Sequence, residues 1–262
     1  ATVGTFTIPL MKRGGFSPNL AAAIAALSSS GGILMPPVMG AAAFIMAEYL
    51  GMSYGDVCVA AIIPAVLYYA CIFIVVDLKA VKLGLVGYPR DQLPDIKEVL
   101  KKGWHLIIPI IALIVFLMMA WSPNKAVFWS IVILAGVSYI YRHTRLTLDR
   151  FLRALEDGAK ETIPIAVACA GAGIIVGSLG MTGLGVKFSS SLIALSGGSQ
   201  ILALVLTMIA SLILGMGMPA TAVYILSASL LAPPLINLGI SPISAHFFIF
   251  YFSVISCIPP PV

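Results

Sequence analysis

Asp56 to Val76 is a run of twenty-one residues whose only charge is the first, long enough to carry a helix across the roughly 30 Å hydrocarbon core of a bilayer. No other feature restricts the fold as strongly. Hydrocarbon offers no partner to backbone N–H and C=O groups, so a segment that spans it bonds internally as a helix or closes into a barrel. Comparable runs recur along the chain: 60% of the 262 residues are hydrophobic, 10% are charged, and the mean hydropathy is +1.08. This balance lies far from that of a soluble domain and gives an all-α polytopic membrane protein. The net charge of +5 comes from Lys and Arg gathered in loops, which orient the chain in the bilayer. No aromatic and basic stripe accompanies it, so nucleic acid is not an expected partner.

Within this background Ser28 to Val38, Ser-Ser-Ser-Gly-Gly-Ile-Leu-Met-Pro-Pro-Val, is hostile to helix. An interrupted backbone at membrane depth is tolerated only where protein or a polar cavity supplies the missing partners, and a bound cation is the simplest such partner. The pattern returns near the other end. Laying Gly15 to Val38 over Gly239 to Val262, an offset of 224, requires no gap. It matches Gly15/Gly239, Ser17/Ser241, Pro18/Pro242, Ala21/Ala245, Ser29/Ser253, Pro36/Pro260, Pro37/Pro261 and Val38/Val262, eight identities in twenty-four positions. We read an internal repeat. Gly/Pro-interrupted apolar segments in corresponding positions of two halves point to the midplane site of a secondary transporter.

The remaining segments fit around these two motifs. Ala1 to Leu10 reads as one arm of a re-entrant hairpin. Asn19 to Leu27 reads as a helix that halts at the Ser/Gly patch and resumes over Val38 to Leu50, one broken span. Asp56 to Val76, kinked by Pro64, Trp104 to Trp121, Ala126 to Tyr141 and Thr162 to Leu179 are further crossings. A basic connection with Lys79, Lys82, Arg90, Lys97, Lys101 and Lys102 precedes Trp104. A second, Arg142 to Lys160, has Leu148, Phe151, Leu152 and Leu155 at helical spacing, the pattern of an amphipathic helix in the headgroup layer. Gln200 to Leu214 and Ala222 to Leu238 read as limbs too short to span, forming a second re-entrant hairpin with its tip at Gly215 to Thr221. Five crossings between the motifs make the repeats inverted, and the basic loops fall on the cytoplasmic side. Three regions result: 1–50 as a first transport-domain repeat, 51–160 as scaffold spans and basic connections, and 161–262 as the second repeat. The start without Met and the stop after Pro-Pro-Pro are read as a C-terminal fragment of a larger protein.

Three stretches carry a resemblance: Thr5-Phe6-Thr7-Ile8-Pro9-Leu10-Met11-Lys12-Arg13, Gly32 to Phe44, and Gly215-Met216-Gly217-Met218-Pro219. They resemble the large membrane subunit of tripartite ATP-independent periplasmic (TRAP) transporters, in particular the fused permeases of the TAXI type. The resemblance implies a sodium-driven elevator carrier in the cytoplasmic (inner) membrane of a bacterium or archaeon. It also implies a periplasmic substrate-binding protein that delivers a small organic anion, and a small membrane subunit or fused N-terminal spans as a further partner.

The chemistry of the two patches is consistent with sodium as the coupling ion and with no other cofactor. Neither patch nor the hairpin tip holds an Asp or Glu, whereas proton-coupled carriers place a titrating group in the membrane. Unwound carbonyls and hydroxyls suit an alkali cation. A first site is assigned to Ser28, Ser29, Ser30 and Gly31, and a second to Gly215, Gly217 and Thr221 facing Ser253 and Ser256. Substrate is assigned to Gly32, Pro36, Pro37, Met218, Pro219 and Thr221, with helix N-termini after Pro37 and Pro219 offering N–H groups to a carboxylate. Small and hydroxyl residues also pack membrane helices closely, which is the alternative role for each one. His246 reads as a packing histidine, Glu48 and Lys187 as helix-end residues, and Cys58, Cys71, Cys169 and Cys257 as packing residues outside any disulfide or zinc spacing. An intramembrane enzyme lacks a nucleophile with its base, so the competing readings are an ion channel or passive pore, or a non-transporting truncated membrane fragment.

Overall fold

In the computed structural model the described residues are 2–85, 95, 101, 103–119, 121–140 and 144–258. Arg90, Lys97, Lys102 and Arg142 of the basic connections, and the repeat matches at Pro260, Pro261 and Val262, lie outside them. Eleven α-helices and no strand occur among the described residues: α1 (Thr2–Arg13), α2 (Pro18–Gly31), α3 (Ala41–Leu50), α4 (Tyr54–Lys82), α5 (Ile108–Met118), α6 (Pro123–Val137), α7 (Leu148–Thr182), α8 (Leu184–Ser196), α9 (Gln200–Leu214), α10 (Ala220–Asn237) and α11 (Pro242–Ile255). A 3₁₀ turn, Trp104–Ile107, leads into α5.

Three of these are long and apolar enough to cross a bilayer, judged by length and composition: α4 with 29 residues, α7 with 35 and α10 with 18. The observed lengths correct several expectations. Trp104–Met118 and Pro123–Val137 are shorter than a full crossing. α10, expected as a short limb, runs through both Pro233 and Pro234 to reach spanning length. The expected amphipathic helix and the expected crossing at Thr162 are one continuous helix, α7, about 52 Å long at 1.5 Å per residue. The helix runs on through Gly158 and Pro164, with Glu156, Ala159, Lys160 and Glu161 between the two expected segments as good helix formers. None of the four cysteines is in a disulfide, and Cys71 is exposed rather than packed.

The two matched stretches have the same local backbone, and the likeness reaches further upstream than the matched residues. α1 ends at Arg13 and α10 at Asn237, again an offset of 224, with Pro9 and Pro233 inside the two helices. Both ends close in the same Schellman turn, in which a left-handed residue lets two N–H groups reach back to the last carbonyls. Gly15 (φ 99) and Gly239 (φ 88) supply that residue. Gly15 N–H donates to Lys12 O and Phe16 N–H to Met11 O, each at 3.1 Å; Gly239 N–H donates to Ile236 O at 2.9 Å and Ile240 N–H to Leu235 O at 3.1 Å. Ser17 Oγ then accepts from Leu20 N–H at 3.4 Å and Ser241 Oγ from Ser244 N–H at 3.4 Å, two equivalent N-caps ahead of Pro18 and Pro242. α2 and α11 each run 14 residues, and Ala21 and Ala245 are both fully buried.

Contacts divide the chain into two compact units. The first comprises Ala1–Ala25, Ser53–Gly55 and Cys71–Ala159. In it α5 packs on α6, Phe116 stacks on Trp121 at 4.5 Å between ring centroids, and Lys125 Nζ lies 4.3 Å from the centre of the Trp121 ring. The second comprises Ala26–Met52, Asp56–Ala70 and Lys160–Val262. Its core is α10 packed on α11, with α8, α9 and α3 around them. Tyr224, Leu231, Leu235, Ile249, Phe250 and Val254 fill that core with no exposure above 0%.

Candidate functional site

In the second unit α9 and α10 form a hairpin whose tip, 215–219, seats on the C-terminal end of α11. Gly215 is buried, and a Cβ placed on it would overlap the Ser256 side chain. Close backbone approach therefore explains the glycine. Cys257 Sγ lies 3.6 Å from Met218 O, a second contact between tip and helix end. Gly217 has φ +80, where glycine is favoured, and nothing lies within 4 Å of a Cβ built on it. The hydroxyls beneath bond locally: Ser256 Oγ donates to Ser253 O and Ser253 Oγ to Ile249 O, each at 2.8 Å.

The buried face of α9 leads to this tip as a stripe of small residues, Ala203, Thr207, Ser211 and Gly215, four apart and hence on one helical face. Thr207 Oγ1 and Ser211 Oγ, together with Ser227 Oγ of α10, are buried without a hydrogen-bond partner. Thr207 is seven residues before the last residue of α9 and Ser227 seven after the first of α10, so the hairpin brings them to equal depth.

The first break has different supports. α2 continues through Ser28, Ser29 and Ser30 to Gly31; the interruption spans 32–40 and α3 starts at Ala41. The expected halt at Ser28 is thus displaced by one turn. The reason is that its terminal carbonyls find donors. Tyr68 Oη donates to Leu27 O at 2.8 Å and Tyr69 Oη to Ser28 O at 3.1 Å. Gly32 N–H donates to Ser29 O, Ile33 N–H to Ser30 O, and both Leu34 and Met35 N–H to Gly31 O. The carbonyls are not bare: Gly31 O already has two donors, whereas Ser28 O, Ser29 O and Ser30 O accept from Tyr69 Oη, Gly32 N–H and Ile33 N–H and can each take a further partner. A Cβ on Gly31 would collide with the Tyr68 ring. Gly40 N–H donates to Ile33 O at 3.0 Å and closes the loop, which contains the cis Pro36–Pro37 bond. No helix starts after Pro37, which corrects that expectation; the N-terminus belongs to Gly40 and Ala41, without a side-chain cap. α10 does start after Pro219, also uncapped.

α4 and α11 are linked in this unit, since the Tyr68 ring also meets Tyr251 edge-on at 6.0 Å. His246 is satisfied as read: Nδ1 bonds Tyr224 Oη at 2.8 Å, and Tyr49 contacts its ring edge-on at 6.3 Å. A groove of about 460 Å³ between α4 and α11, lined by Pro64, Phe247, Phe248 and Tyr251 among others, contains none of the assigned site residues.

Over residues 1–262 the chain matches the family described as Tripartite ATP-independent periplasmic transporter, DctM component. The chain belongs to this family. It is 27% identical over 267 residues to the C4-dicarboxylate TRAP transporter large permease protein DctM of Pseudomonas aeruginosa. It is 26% identical over 271 residues to the 2,3-diketo-L-gulonate TRAP transporter large permease protein YiaN of Escherichia coli, and 24% identical over 267 to a putative TRAP transporter large permease protein of Haemophilus influenzae. All of the chain is covered in each case, and it spans 61% of each relative's length. The relatives are permease proteins by name, not enzymes, which answers the enzyme reading.

For this DctM-family chain, the assigned residues separate into two places. Gly215 and Ser256 touch, Ser253 lies one turn below, Gly217 is at the open tip, and Thr221 is half-buried in the first turn of α10. Met218 and Pro219 complete that tip. Ser28 to Gly31 close α2, followed by Gly32, Pro36 and Pro37 in the loop, where Gly32 is exposed and the prolines are half-buried. Sequence reasoning missed Tyr68, Tyr69 and the Thr207, Ser211 and Ser227 hydroxyls. Adjacent tyrosines in the middle of an apolar span were a usable signal, since a buried phenol needs a partner.

Proposed function

We propose that the chain is part of a sodium-coupled symporter that imports a small organic anion delivered by a periplasmic substrate-binding protein. The reading includes the cytoplasmic membrane, a small membrane subunit or fused N-terminal spans, an elevator motion, and a permease of the TAXI type. The observation that carries it is the hairpin tip at 215–219 seated on the end of α11. A hairpin tip that seats on the end of a neighbouring helix through a glycine contact and a thiol contact suits a gate that parts from its seat. The second sodium takes oxygens of Gly215, Gly217, Thr221, Ser253 and Ser256; the first sits at Ser28, Ser29, Ser30 and Gly31, where the serine carbonyls and hydroxyls keep the free lone pairs.

Two uncapped N-termini, at α3 and α10, lie on helices that pack together. They offer N–H groups and positive dipole ends to a carboxylate. The relatives' names specify C4-dicarboxylate and 2,3-diketo-L-gulonate, both carboxylates. Lys12-Arg13 in one copy of the repeated turn and Ile236-Asn237 in the other support inversion, because positive charge favours the cytoplasmic side.

The test is uptake into proteoliposomes holding the full-length permease, its further subunit and its binding protein, with radiolabelled C4-dicarboxylate. Uptake is expected to saturate and to follow an inward sodium gradient, and Ser253→Ala or Ser29→Ala is expected to raise the sodium needed for half-maximal rate. Sodium-independent conductance would replace the carrier with the channel reading.

A further inference from the structure

In the first unit, the turn joining α1 to α2 covers a cavity of about 370 Å³ against the end of α4, lined by Lys12, Phe16, Ser17, Lys79, Lys82 and Leu83 among others. Three lysines from two helices line it. Among the described residues none of the three is ion-paired. Asp77, the nearest acid on α4, is two residues from Lys79, a spacing that points it elsewhere, and it does not line the cavity. The N-terminus of the 14-residue α2 opens at the same place, adding its positive dipole end. Phe16 and Leu83 give the cavity apolar sides.

The repeat supplies an internal control. The equivalent turn at 235–242 has the same backbone hydrogen bonds and the same serine cap, yet carries Ile236 and Asn237 where the first copy has Lys12 and Arg13. There Leu238 O accepts from Gln200 Nε2 at 2.7 Å. The turn therefore forms without lysine, and the charge in the first copy is not a requirement of the fold.

We propose that this cavity binds a phosphate oxyanion, presented either by the headgroup of an acidic phospholipid or as free phosphate. The lysines bind the oxyanion as point charges, and the apolar walls accept the start of an acyl chain in the lipid case.

The test uses the full-length permease, delipidated in neutral detergent and studied by native mass spectrometry with dioleoylphosphatidylglycerol or dioleoylphosphatidylcholine. The variant is Lys12→Gln/Lys79→Gln/Lys82→Gln. The control, Arg145→Gln/Arg150→Gln/Arg153→Gln, removes the same charge elsewhere in the unit. The lysine triple is expected to bind phosphatidylglycerol on the order of a hundredfold more weakly, at about fivefold per lysine. The arginine triple and the charge-keeping Lys→Arg triple are expected to stay near wild type. Lysine-dependent binding of phosphatidylglycerol with no thermal shift from millimolar inorganic phosphate assigns the lipid; a lysine-dependent phosphate shift assigns the soluble anion. Equal losses in the lysine and arginine triples, or wild-type protein that responds to neither probe, would overturn the proposal.

Discussion

Replacing Gly215 by Ala tests how closely the hairpin tip is seated. The added methyl overlaps both Cβ and Oγ of Ser256 and comes 3.1 Å from Ser211 O. Overpacking of this kind costs about 1–3 kcal/mol, which corresponds to a fall of roughly 2–10 °C in the melting midpoint for a domain of this size. Two comparisons separate the steric term from backbone strain. Gly217→Ala places a methyl where nothing lies within 4 Å but keeps φ at +80, so it costs about 1–2 kcal/mol through the dihedral alone. Ser256→Gly removes the atoms that clash, at about 1 kcal/mol for the lost bond to Ser253 O. In the double variant Gly215→Ala/Ser256→Gly, the two costs should add to less than their sum by at least about 1 kcal/mol. Gly217→Ala combined with Ser256→Gly should be additive. The assay is thermal unfolding of the full-length permease in one detergent at one scan rate, because membrane-protein melts are commonly kinetic. Additivity in both pairs, or a Gly215→Ala variant as stable as wild type, would refute the close approach of tip and helix.

Tyr68→Phe keeps the ring against Gly31 but deprives Leu27 O of its donor, and the expected loss is about 0.5–1.5 kcal/mol in the same melt. Tyr69→Phe should act in the same direction at Ser28 O. Tyr224→Phe leaves His246 Nδ1 buried without its partner, so about 1–3 kcal/mol should be lost; an unchanged midpoint would show that the pair does not form. Ser17→Ala and Ser241→Ala remove equivalent caps and should each cost about 1 kcal/mol. A large inequality between them would count against equal local structure in the two copies.

The amino-acid pattern alone was sufficient for the class of the protein and for the two matching turns. Unbroken apolar runs of about twenty residues satisfy their own backbone in lipid as helices, and Gly15/Gly239, Ser17/Ser241 and Pro18/Pro242 are turn and cap residues whose local chemistry does not depend on distant partners. The tip at Gly215 to Pro219 was legible for the same reason. What depended on distant partners was not legible. α2 passes Ser28 because Tyr68 and Tyr69, forty-one residues on, donate to its last carbonyls. α7 is continuous although charge and hydropathy change along it, since neither change interrupts helical hydrogen bonding. Only tertiary structure brings Ser256 against Gly215 and leaves Thr207, Ser211 and Ser227 unpartnered: propensity acts within a turn, whereas burial and hydrogen-bond satisfaction are decided by whichever helix packs alongside.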